Sequence, residues 1–99
     1  MKVRYSPRAK RRATAIKKWW LANRPAVSDL FERELAQATE QLEATPTLRT
    51  IYGTIGGKVV MRLLLPKSEQ HLYYSVDKEA GVIGLITIWG ARRGRPPKL

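Results

Sequence analysis

The chain has no cysteine among its 99 residues and a single histidine, His71. The first absence excludes disulfides, thiolate metal sites and cysteine nucleophiles. The second argues against a histidine-based metal site, so neither metal nor cofactor is expected. Acids are scarce too. Eight Asp and Glu stand against nineteen Lys and Arg, a formal net charge of +11. Long apolar runs are missing: the longest uncharged stretch, 80–91, falls short of the ~20 residues that span a bilayer. No apolar segment follows the basic N-terminus, so no signal peptide is read. The expectation is a soluble cytoplasmic protein with no membrane partner. No internal repeat is visible. Gly56-Gly57 lacks the Lys and Ser/Thr of a phosphate loop, and a strand pattern follows it instead of a helix.

What the chain does have is positive charge, unevenly placed. Residues 1–24 hold nine Lys or Arg and no acid; residues 25–44 hold five acids against Arg33 alone; residues 45–99 are basic again. A surplus of this size implies a polyanionic or acidic partner and steered association. The length suits one domain, and 43% hydrophobic residues argue for a packed core over disorder.

Hydrophobic periodicity divides the chain into elements. Residues 2–5 alternate as a short strand. Ser6-Pro7 then marks a helix start, a capping hydroxyl before proline at the first helical position. Ala9, Ala13, Ile16 and Trp20 recur at helical spacing until Pro25 stops them. A second helix is read directly after, with Val27, Phe31, Leu35, Ala38 and Leu42 as its apolar stripe. Its acids, including the like-charged Glu40 and Glu43, read as a solvated face. Thr45-Pro46 ends it. Residues 46–57 read as loop, with Gly53, Gly56 and Gly57 as punctuation.

From Lys58 the period becomes two. Met61 and Leu63 share one face, and Lys58 and Arg62 the other. In the strand from His71 to Val76, Leu72, Tyr74 and Val76 oppose His71, Tyr73 and Ser75. Val82 to Trp89 is a nearly continuous apolar strand, read as central, whose inward face the pattern does not choose. The fold class expected is α+β: a small antiparallel sheet in the order β-α-α-β-β-β with a helical hairpin packed on one face. Trp20, Phe31, Leu35, Leu63, Leu72 and Tyr74 are the expected core. Residues 1–90 form the domain, and 91–99 a basic, Pro-rich tail.

The ordered set of segments resembles the RelE/ParE superfamily, the toxins of bacterial type II toxin–antitoxin modules. The resemblance rests on the Pro-started basic helix, the Leu42-to-Pro46 end of the hairpin, Met61-Arg62-Leu63-Leu64-Leu65, His71-Leu72-Tyr73-Tyr74-Ser75-Val76, and Ile86-Thr87-Ile88-Trp89-Gly90-Ala91-Arg92-Arg93. It implies a four-stranded sheet, growth inhibition or plasmid stabilisation, and neutralisation by an acidic antitoxin, with operator DNA reached only through that antitoxin. Two targets follow from the resemblance: messenger RNA on the ribosome, cut by RelE-like members, or DNA gyrase, poisoned by ParE-like ones.

As a nuclease the chain would use Arg62, Arg92 and Arg93 to stabilise charge and His71 to move protons. No tyrosine follows Tyr74, so the late acid of many nuclease members has no counterpart. The reading therefore leans to the ParE-like branch, with Lys58, Arg92, Arg93 and Arg95 as contacts to target or nucleic acid. Arg93-Gly94-Arg95-Pro96 also matches the core of an AT-hook. Trp19, read as half exposed, with Arg12 and Lys18, is the expected antitoxin anchor. A plain nucleic-acid-binding module is a further alternative.

Overall fold

The computed structural model describes residues 1–46 and 50–99. Strand β1 (Lys2–Tyr5) leads into α1 (Pro7–Asn23). The Ser6 side chain accepts a hydrogen bond from Ala9 N at 2.9 Å, the capping geometry expected of it. Ala9, Ala13, Ile16 and Trp20 form the buried stripe of α1. Arg24, the residue before Pro25, leaves the helical region (φ −138, ψ 62). A single 3-10 turn, Pro25–Val27, follows before α2 (Leu30–Ala44). The second helix therefore starts later than its apolar pattern suggests. Val27 is left 40% exposed on the turn and is not part of the stripe. Phe31, Leu35, Ala38 and Leu42 are buried as expected.

The sheet has five strands in the order β1-β5-β4-β3-β2: β2 (Thr50–Ile55), β3 (Lys58–Leu65), β4 (Gln70–Asp77) and β5 (Val82–Gly90). Strand β1 pairs parallel with β5, and every other pairing is antiparallel. Thr50–Ile55 corrects the reading of 46–57 as loop, of which residues 47–49 lie outside the described residues. The signal for the strand was the glycine pair. Gly56 and Gly57 both have positive φ (58 and 79), and Ile55 pairs with Lys58 across them. This is the two-residue hairpin turn that twisted strands favour.

Two bulges shape the sheet. On β5 the register moves from Tyr73↔Thr87 to Tyr74↔Leu85, leaving Ile86 unopposed. Ile83 and Leu85 before it, and Ile88 after it, therefore all point to the helices. One extra residue inverts the alternation, which is why period alone did not assign the inward face. On β2 the extra residue is Tyr52, between Ile51↔Met61 and Gly53↔Val60.

The helices cover one sheet face. Between them lies the core of Trp20, Phe31, Leu35, Leu42, Leu72, Tyr74, Leu85 and Ile88, with Leu63 only partly buried against it. The acids of α2 are not all solvated. Glu34 caps the β3–β4 turn through Lys67 N (2.7 Å) and Ser68 N (2.8 Å). Glu43 accepts a bond from Val3 N on β1 at 2.9 Å. The tail adopts no regular element, yet it folds back on the domain, and Pro97 is buried.

Candidate functional site on the open sheet face

Alternation along β3 and β4 sends Arg62, His71 and Tyr73 to the face the helices leave open. The register places Arg62 opposite Tyr73, and His71 opposite Leu64 and Trp89. Arg62 and His71 are thus diagonal neighbours, not a directly facing pair. Tyr73 is buried and forms the floor. Tyr52 packs edge-on against it, ring centres 4.9 Å apart, and the Arg62 guanidinium lies 5.2 Å from the centre of the Tyr52 ring. The His71 ring meets the edge of Tyr73 at 6.1 Å. Thr87 is also fully buried on this face, and its hydroxyl has no partner.

The tail forms the other wall. Trp89 Nε1 donates to Arg95 O at 2.9 Å. Arg93 lays its guanidinium 4.2 Å from the centre of the Trp89 ring. Together these residues enclose a cleft of about 250 Å³ reaching from Tyr52 to Pro96. Burial lowers the His71 pKa, and the nearby Arg62 lowers it further. The imidazole is therefore neutral near pH 7 and able to accept a proton, beside a fixed positive charge.

The other residues singled out from sequence fall in three places. Arg92 does not reach the cleft: it pairs with Glu69 at 2.8 Å. That contact, with Ala91 N donating to Glu69 O at 2.8 Å, holds Glu69 at a positive φ of 57. Lys58 starts β3, at the opposite end of the sheet from Arg92, Arg93 and Arg95. Trp19 is 49% exposed, as expected. It meets Trp20 edge-on at 5.6 Å, with Arg24 above its ring at 5.7 Å. Arg12 is partly buried and donates through Nε to Ile88 O at 3.0 Å. Trp19, Arg12 and Arg92 border a groove of about 670 Å³ between α1 and the ends of β4 and β5. Lys18 is exposed and lies outside it.

Two residues of the cleft were not legible as such. Tyr52 sat in a segment read as loop, and Trp89 reaches this face only because of the Ile86 bulge. Among the described residues no group of three His, Cys, Asp or Glu gathers as for a metal, and no helix is long and apolar enough to cross a membrane.

No family model matches the chain, and no curated protein matches it. A solved structure does: the isolated RelE toxin of E. coli, with a TM-score of 0.56 and 19% identity, over 94% of this chain and 86% of that one. With the helical hairpin on one face of a small mixed sheet, the protein has the fold of the RelE toxin.

Proposed function

We propose that the protein is the toxin of a type II toxin–antitoxin module, held inactive by an acidic antitoxin. The observation that carries this reading is a RelE-type fold spanning nearly the whole chain, joined to a net charge of +11. The basic surface of α1, with half-exposed Trp19 beside Arg12, suits an acidic partner that needs an aromatic anchor.

Of the two modes of action, the ParE-like one is favoured: inhibition of DNA gyrase by binding. Arg92 is held by Glu69 outside the cleft, and Arg93 is laid on the Trp89 ring. The ordered tail then presents Arg95 at the rim as the target contact. One observation favours the second reading, a ribosome-dependent nuclease. His71 has a lowered pKa beside Arg62 on the open face, a base next to charge stabilisation. One growth experiment separates them. Induced native protein should arrest growth, and co-expression of a neighbouring acidic reading frame should relieve the arrest. Under the favoured reading Arg95→Ala loses toxicity, while Arg62→Ala and His71→Gln keep it; the reverse pattern establishes the nuclease. No arrest by folded native protein would sink the toxin reading itself.

A further inference from the structure

Strands β1 and β2 form the two edges of the sheet, and they are finished differently. The β1 edge is guarded. It is four residues long and two of them are Lys2 and Arg4. Its Val3 N donates to the Glu43 carboxylate of α2 at 2.9 Å. Short length, lysine and a covering element are the means by which edges avoid pairing with other chains. The β2 edge has none of them. Thr50–Ile55 carries no charge and no proline, and among the described residues its main chain pairs only with β3. The bulge at Tyr52 turns that ring to the cleft and leaves Gly53 to Ile55 in regular register with β3.

Apolar side chains flank this open edge on both faces. Ile51 pairs with Met61, a core residue, and so lies on the side of the sheet that the helices cover. It is nevertheless 65% exposed, and Val59, two residues from Met61, is 48% exposed. The helices therefore stop short of β2. Ile55, opposite Lys58, is exposed on the other face. Charge is placed the other way. The nine bases of residues 1–24 belong to β1, α1 and the turns beside them. Helix α1 is tied to β5 through Ser6 Oγ to Ile86 O and Arg12 Nε to Ile88 O. Strands β4 and β3 separate β5 from β2.

We propose that β2 is a docking edge for a second copy of this chain, pairing antiparallel with the partner's β2 about a two-fold axis. The two sheets become one of ten strands, and Ile51 and Val59 are covered. An acidic partner has nothing to draw it to an uncharged edge. The β2 strand of a second copy is itself uncharged and rich in β-branched residues, and main-chain bonds supply the affinity. Of the two edges, β2 also keeps the basic helices of two copies furthest apart. Because each copy offers a single such edge, the association closes at the dimer. Lys58 and Arg62, on the neighbouring strand, are the bases nearest the junction, and salt screens their repulsion. The proposal goes beyond the toxin reading and does not rest on it: the edge is there whatever the protein inhibits.

The test is sedimentation equilibrium of the full chain over a concentration series, at about 0.05 and about 0.5 M salt. Native protein should reach a dimer and no larger species, and dimerise more tightly at the higher salt. Ile51→Lys and Thr54→Lys place a charge on exposed positions of the edge, so the monomer keeps its fold. Each should weaken the dimer about tenfold or more, because the two lysines meet across the axis. Leu21→Lys adds the same charge at an equally exposed position of α1 (65%) and should dimerise like native protein. Amide exchange in β2 should slow as concentration rises, while exchange in β1 should not change. A native protein that stays monomeric at both salts overturns the proposal, as does growth beyond the dimer. Association that weakens with salt would instead join the acidic α2 of one copy to the basic α1 of the next, and overturns it too. So does a dimer that both edge lysines leave intact, or that Leu21→Lys weakens as much as they do.

Discussion

The carboxylate of Glu34 accepts hydrogen bonds from Lys67 N, Ser68 N and Ser68 Oγ at 2.7, 2.8 and 2.5 Å. Ser68 is buried, so Glu34→Ala strands its groups without water. A loss of ~1–3 kcal/mol is expected in urea unfolding. Leu72→Ala, which empties a fully buried site between helices and sheet, should cost ~2–5 kcal/mol. His71 gives a dependence on pH. Its folded pKa lies below the ordinary imidazole value of 6.5, so the unfolded chain binds the proton more readily. Its contribution is complete above the unfolded pKa and is lost as pH falls through that value toward the folded one. Following the His71 ring by NMR in Arg62→Gln should show the pKa rise, yet stay below its ordinary value because burial remains the larger cause. No rise would mean that Arg62 exerts no field at the ring. At this scale the sequence showed which residues are apolar and which carry charge. It did not show that Glu34 and Glu43 leave the solvated face of α2 to cap a turn and tie a strand. Such ties depend on what folding brings opposite them, and no local pattern contains that.

Both helices were legible from their 3.6-residue stripes; in α1 the Ser6 cap and Pro7 agree with the stripe, whereas α2 has no side-chain cap and its start was read too early. Ser6 does more than cap: its Oγ accepts from Ala9 N at 2.9 Å and donates to Ile86 O at 2.7 Å. It thereby pins the helix start to the bulge of β5. Ser6→Ala should therefore cost more than an isolated cap, about 2 kcal/mol or above by thermal unfolding. A loss of only a few tenths would show that the bulge bond contributes nothing. The sheet was less legible. A bulge is a one-residue insertion that no period announces, and two of them decide which side chains reach the cleft. The Arg62–His71 half of the candidate site was visible because β3 and the start of β4 keep their alternation. The Tyr52–Trp89 half was not. The tail also behaves as a built element. Trp89→Phe keeps the ring and removes the bond to Arg95 O. Limited trypsin digestion should then cut after Arg92 and Arg93 sooner than in native protein, with the rest of the domain resistant.

Across the molecule, a net charge of +11 on a chain with a Cα radius of gyration of 13.3 Å sets up self-repulsion. Thermal stability should rise as ionic strength goes from about 0.01 to about 0.15 M, over which the screening length falls from ~30 to ~8 Å. A flat melting temperature would mean that the charges are locally compensated. The strand order has another consequence, one of timing. Residues Lys2–Tyr5, the first of the sheet's five strands in chain order, pair with Val82–Leu85 of the fifth. Contacts so distant along the chain close slowly, because loop entropy must be overcome before they form. A ribosome synthesising this protein therefore holds an unfinished sheet until β5 emerges. Until then β1 has no partner and the open face lacks Trp89 and Arg93. The nascent chain should thus be protease-sensitive at every length that stops before Val82 and become resistant in a single step once Gly90 is clear of the exit tunnel. Whatever this surface does, it exists only once β5 has been made and paired.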